Sequence, residues 1–371
     1  MQRPLGPSQG AATREQVAMV VLQVTQLSMF ESVDLASRPN WALRIALAVL
    51  VLGIVAAVVW LLRMTAMPLK SYAGPLPPLN SQESELRDHL AVNVKYLSAS
   101  IGERSLERAG SLEKTAAFIR ENLQSAGYSV NDIHYKVGVQ EVSNLEAILV
   151  GTETPQDTVV VGAHYDSVAG TVGANDNAAG VSAVLELARL LATARQRRTL
   201  RFVLFANEEP PYFQTEKMGS VVYARQLRSQ GIDVSAMISL ETIGFYSDAK
   251  GSQKYPPPLG FFYPSRGNFT GFVGNPESRD LVRRSIRKFR ETTRFPSEGV
   301  AAPAEWPGVG WSDQWSFWRE RYPAIMVTDT ATFRYPYYHT EHDTFDKVDC
   351  EKAARVVDGI RRVVEMLANE P

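Results

Sequence analysis

Thiols are almost missing from this chain. Cys350 is the single cysteine among 371 residues, which excludes an internal disulfide and a thiolate metal cluster and leaves the redox compartment open. Net charge is equally scarce: Lys plus Arg number 39 against 40 acids, with no block of one sign. A nucleic-acid binder needs a basic excess or stripe, so that class is excluded. No internal repeat is present, which removes solenoids and propellers.

What is present is length enough for one large α/β domain with added segments and a sizeable core. One stretch is wholly uncharged: IALAVLVLGIVAAVVWLL, from Ile45 to Leu62, with Trp41 and Trp60 near its ends. Its length and interfacial tryptophans predict one transmembrane helix over 41–66. A cleaved signal is disfavoured, because no small-residue cleavage site precedes Arg63. Arg38 and Arg44 on one side nearly balance Arg63 and Lys70 on the other; the expectation is a single-pass cell-membrane protein with an extracytoplasmic body. Residues 1–40 read as a cytoplasmic or disordered segment, with VAMVVLQV able to form a short interfacial helix, and are expected to be dispensable. Residues 67–82, rich in Pro, Gly and Ser, read as a linker, and 83–371 as the folded body.

Within the body, apolar runs predict strands at 145–151, 158–164, 200–206, 236–241, 269–275 and 324–329. Helical spacing marks 83–100, 112–126, 178–194, 218–230, 277–291 and 350–368. Alternation of continuous apolar strands with helices predicts an α/β fold whose sheet is mostly parallel and covered on both faces. Two Pro- and aromatic-rich stretches, 255–267 and 300–311, read as long functional loops.

Such a sheet builds its site at the carboxyl ends of its strands. His164 ends one predicted strand, Glu208 and Glu209 follow a second, and Glu241 ends a third. Asp176 lies in the loop GANDNAAG before a helix, and His339 in YYHTEHDT. Taken singly, each has a plainer role: a satisfied strand-end histidine, a helix cap, a solvated edge. Their arrival together at one end of one sheet points to metal binding. Two imidazoles and the carboxylates Asp176, Glu209 and Glu241 suit a pair of zinc ions. Three carboxylates and one hydroxide also balance two dications, as a buried site requires.

The segments VVVGAHYDSV, GANDNAAGVSAVLELARLL, FANEE, ISLETIGF, SDQWSFW and YYHTEHDT, in this order, resemble the co-catalytic zinc aminopeptidases of metallopeptidase family twenty-eight, over about residues 85 to 368. The resemblance implies a three-layer α/β/α fold of the phosphorylase/hydrolase type around an eight-stranded mixed sheet. It implies that His164 and Glu241 hold one zinc, that Glu209 and His339 hold the other, that Asp176 bridges them and that Glu208 is the general base. Glu241 departs from the pattern, since many relatives carry Asp; the extra methylene changes reach rather than charge. Asp166 matches an acid that orients the histidine ligand, and Asp313 matches another acid near the site, or else is a helix N-cap. A cis peptide is implied at Asp176–Asn177.

These roles imply that Glu208 takes a proton from the attacking water and returns it to the leaving amine. Peptides with a free N-terminus are the expected substrates. Phe245, Tyr246, Trp311, Trp315, Tyr337 and Tyr338 are candidates for the first side-chain pocket, although aromatic residues are commonly core. Rival readings are a single-zinc glutaminyl cyclase, a non-catalytic ectodomain on the same fold, and a carboxypeptidase, for which no carboxylate-binding Arg stands out.

Overall fold

The computed structural model describes residues 41–370; residues 1–40, and with them the expected interfacial helix, lie outside the described residues. Its helices are α1 (Trp41–Thr65), α2 (Ser81–Lys95), α3 (Ser111–Ser125), α4 (Gly180–Leu191), α5 (Gly219–Ser229), α6 (Arg279–Thr292), α7 (Gln314–Arg319) and α8 (Cys350–Asn369). Its strands are β1 (Val130–Val137), β2 (Gln140–Leu149), β3 (Thr154–His164), β4 (Arg198–Phe205), β5 (Asp233–Glu241), β6 (Thr270–Gly274), β7 (Ser297–Ala301) and β8 (Ala324–Thr328).

The strands form one sheet in the order β1-β2-β4-β3-β5-β8-β6-β7. Its centre, β4-β3-β5-β8, is parallel, while β1-β2, β2-β4 and β6-β8 are antiparallel. The sheet is therefore mixed, with most of the parallel pairing where continuous apolar strands require burial on both faces and a further parallel pair, β6-β7, at one edge. Successive side chains sort to opposite layers. Val159 and Val161 of β3 join Phe202, Ile238 and residues of α2, α3, α4, α6 and α8 in one core. Val160, Val203, Phe205 and Met237 meet Tyr223 and Leu227 of α5 and Phe317 of α7 in the other. This is the expected α/β/α sandwich.

Local chemistry fixes the helix ends. Asn80 caps α2 through a reciprocal pair: its side chain accepts from Glu83 N at 2.9 Å, and its own N–H donates to Glu83 Oε2 at 2.9 Å. Asp349 caps α8 by accepting from Lys352 N at 2.9 Å. Strand β1 and strand β7 were not expected from sequence, and β7 takes part of the stretch read as the loop 300–311.

Helix α1 has a mean hydropathy of 3.0 over its most apolar window, none of which is buried against the body. The chain after it does not hang free. Arg290 donates to Pro68 O at 3.0 Å and Leu69 O at 2.9 Å, and Ser297 N donates to Ser71 Oγ at 2.9 Å.

Candidate metal centre

Three parallel strands deliver the site. Strand β3 ends in His164, β5 ends in Glu241, and Asn207, with φ 57°, turns the chain after β4 so that Glu208 and Glu209 follow at its carboxyl edge. Thr242 (φ 43°) and His339 (φ 58°) share this left-handed backbone. Non-glycine residues adopt it sparsely, and its clustering at one edge is typical of a functional site.

The loop GANDNAAG explains itself atom by atom. Asn177 donates to Leu240 O at 2.8 Å and accepts from Gly180 N at 3.1 Å and Thr242 N at 3.2 Å, tying the start of α4 to the end of β5. A Cβ on Gly180 would lie 2.3 Å from Asn177 Oδ1 and 2.6 Å from Leu240 O, so only glycine fits there. Asn175 donates to Asp329 Oδ2 at 2.8 Å and accepts from Gly244 N at 2.8 Å. Between these two clamps Asp176 projects into the site, and the Asp176–Asn177 peptide is cis, as the resemblance implied.

Three donor sets result, His164–Asp176–Glu241, Asp176–Glu209–His339 and His164–Glu208–Glu209, each with its ligand atoms within 4.8 Å of one another; the first two share Asp176. His164 Nε2 lies 3.2 Å from Glu241 Oε2 and 3.4 Å from Asp176 Oδ1. His339 Nε2 lies 3.1 Å from Asp176 Oδ2 and 3.3 Å from Glu209 Oε2. Glu208 stands beside them, its Oε2 3.9 Å from His164 Nε2. All are buried except His339, which is exposed at the rim.

The donor set fits divalent cations. Both oxygens of Asp176 and Oε1 of Glu209 are buried without a hydrogen-bond partner, and orphaned carboxylate oxygens of this kind need a cation. Electrostatics agree. Burial holds the Glu208 and Glu241 carboxyls above their ordinary range and, with Asp176 adding to it, Glu209 at about 8. Burial opposes charge on His339, but its ion pairs with Asp176 and Glu209 outweigh this and raise it to about 10. His164 is likewise raised, burial being outweighed by Glu208 and Glu241. Without metal, this cluster balances its charge by holding protons.

The outer acids divide in role. Asp166 accepts from Glu208 N at 3.1 Å through Oδ1 and from Glu209 N at 3.0 Å through Oδ2, with Oδ1 also 3.5 Å from His164 Nδ1. It therefore fixes the backbone of both glutamates and stands close to the imidazole, whose Nδ1 has no hydrogen-bond partner. Asp313 begins α7 but makes no capping bond, and both its oxygens lack hydrogen-bond partners. Burial raises its carboxyl to about 7.

Sequence reasoning missed several supports. Ser312 donates to Glu241 Oε2 at 2.8 Å. Asp343 accepts from Asn175 N at 2.8 Å and Asp176 N at 3.0 Å, and its place in YYHTEHDT was the available signal. Arg104, 0% exposed, donates to the carbonyls of Tyr165 (2.8 Å), Val172 (2.6 Å), Gly102 (3.2 Å) and Gly173 (2.9 Å), bracing the loop between His164 and Asp176.

Beside Glu241 opens a mainly apolar cavity, lined by Tyr255, Leu259, Phe272, Val309, Trp311 and Tyr338 among others. Trp311 and Tyr338 of the candidate aromatics are in its wall, and Tyr338 also stacks on His339 at 3.8 Å. The other four are placed elsewhere. Tyr246 is core against Phe295, Phe245 and Tyr337 pack on Tyr335, and Trp315 lies under the Arg319 guanidinium.

A mixed sheet sandwiched by helices, with overlapping carboxylate–imidazole donor sets at its carboxyl edge, defines a metal-dependent hydrolase. The chain belongs to peptidase family M28, whose model matches residues 144–364. It is 36% identical over 282 residues to the uncharacterized protein YfbL of Escherichia coli K12, covering 74% of this chain and 86% of that one. The Bacillus subtilis zinc aminopeptidase BSAP superposes with a TM-score of 0.62 at 15% identity, covering 77% of this chain and 95% of that chain. A Bacteroides thetaiotaomicron glutaminyl cyclase gives 0.56 at 17% identity, covering 80% and 100%. At such identities these two likenesses show the fold alone. The metallopeptidase family and the α/β fold expected from sequence are thus borne out.

Proposed function

We propose that the chain is a two-zinc aminopeptidase anchored to a membrane by α1. The observation that carries this reading is the pair of donor triads sharing Asp176; Glu208, which also forms a possible donor group with His164 and Glu209, belongs to neither of that pair. Zinc ions held by His164, Asp176, Glu241, Glu209 and His339 would supply Lewis acidity toward the scissile carbonyl and make a water more acidic. The remaining work belongs to the chain. Glu208 takes the proton of the attacking water and delivers it to the departing amine. Asp166 holds the Glu208 backbone so that this carboxylate keeps its position through both transfers. The apolar cavity beside Glu241 receives the first side chain, and the acids around it favour a substrate that brings a positive terminus.

The test is digestion of a peptide library by the purified full chain, together with a metal count. Two zinc ions per chain and loss of single N-terminal residues are expected, with N-acetylated peptides left intact. Shortening from the carboxyl end would refute the aminopeptidase assignment. A single-zinc glutaminyl cyclase is the rival reading, since a protein of that activity shares the fold. One zinc per chain and a product lighter by ammonia from N-terminal glutamine would establish that reading instead. The anchor rests on the length and apolarity of α1, and release of the protein from membranes by alkaline carbonate would refute it.

A further inference from the structure

The last turns of α1 are built into the body. Met64, 3% exposed, is buried in one cluster with Leu259, Tyr263, Val300 and Val309, and Leu61 and Trp306 pack against that cluster. Trp60 meets Trp306 edge to face at 5.7 Å. Just beyond, Arg279 donates to Arg63 O at 2.8 Å and Arg283 donates to Ala66 O. The helix is therefore held at a fixed position on the body. A bilayer spanned by the uncharged run up to Leu62 must have its surface at the loop 255–263, at Trp306 and at the start of α6.

The side chains at that level suit a bilayer surface. Phe261 is 78% exposed, at the tip of a loop whose Leu259 and Phe262 turn toward the α1 end. Arg63 is exposed, and Arg279 and Arg283 are partly so. An apolar tip beside a basic cluster is the arrangement that enters the acyl boundary while meeting anionic headgroups.

We propose that the loop 255–263, through Phe261, and the Arg63, Arg279 and Arg283 cluster form a bilayer-docking surface that seats the catalytic body on the membrane. The proposal rests on the reading of α1 as an anchor. It also bears on the cavity beside Glu241, because Leu259, Tyr263, Val300 and Val309 both line that cavity and pack with Met64. The wall of the first side-chain pocket is thus the inner face of the docked loops.

The experiment places a nitroxide at single cysteines in the full chain carrying Cys350→Ser, reconstituted in phosphatidylcholine/phosphatidylglycerol nanodiscs. The sites are Phe261→Cys, Leu52→Cys in α1, and Val139→Cys. Val139 is 102% exposed at the β1–β2 turn, on the sheet edge opposite β7. Accessibility to oxygen and to an aqueous nickel chelate gives depth. The label at 261 is expected roughly 5–10 Å below the headgroup level, as for docked apolar side chains, with 52 deep in hydrocarbon and 139 in water. If 52 is deep but 261 matches 139, docking is refuted and the anchor stands. If 52 is in water, anchor and docking fall together, while the peptide-library digestion still judges the aminopeptidase independently.

Discussion

Asp166→Asn is the most searching single substitution, because it preserves shape while removing one charge and one acceptor. In the native site both oxygens accept, from Glu208 N at 3.1 Å and Glu209 N at 3.0 Å. An asparagine can satisfy only one of these amides; its NH2 must then face the other N–H or the His164 imidazole. A hydrogen bond to a charged group contributes about 1.5–3 kcal/mol. At about 1.4 kcal/mol per factor of ten, losing one corresponds to roughly a 10- to 100-fold fall, the range seen when a ligand loses its outer carboxylate. The loss should divide between kcat/KM, through a displaced Glu208, and zinc affinity, through a loosened His164 and Glu209. Steady-state kinetics at saturating zinc would read the first and competition with a chromophoric chelator the second, with far-UV circular dichroism confirming the fold. Values within twofold of wild type on both would refute the claim that this carboxylate sets the site.

Glu208→Gln should keep both metals and fold normally yet lose roughly 10²–10⁴ in kcat, the usual contribution of a general base; full activity would remove Glu208 from that role. His339→Ala should leave one tightly held zinc per chain by elemental analysis, because His164–Asp176–Glu241 stays intact; two retained ions would contradict the ligand assignment. Zinc affinity of the metal-free protein should fall with falling pH. His339 is held at about 10 there, so at neutral pH it carries a proton that binding must expel, and each such proton costs about tenfold in affinity per pH unit; a flat profile between pH 6 and 8 would overturn this. Arg104→Met strands the four carbonyls that Arg104 serves, so denaturant unfolding should show a loss of at least about 1–3 kcal/mol, the cost of leaving a buried acceptor unpaired.

The candidate site residues were legible because several follow an apolar strand directly: FVLFAN before Glu208 and Glu209, VVVGA before His164, ISL before Glu241. Central strands with both faces buried announce themselves in this way. Strand β1 did not, because VNDIHYKV lies at the sheet edge with much of its length half-buried or exposed, so its pattern is polar. Strand β7 is five residues long and contains Gly299, against whose position Met67 packs; its apolar partner comes from the far side of the sequence. The aromatic candidates divided for a similar reason. Ring chemistry does not reveal whether Tyr246 faces Phe295 in the core or Tyr338 faces a cavity. Arg104 was invisible because it acts on main-chain carbonyls, which carry no sequence signal.

Asp176 is common to two donor triads, and its neighbours Asn175 and Asn177 are clamped to separate strand ends. Held from both sides, this shared carboxylate keeps its place whichever half of the site is filled. On the two-zinc reading the halves are expected to load in separate steps, so a cell poor in metal would hold singly loaded enzyme, and output would follow supply gradually.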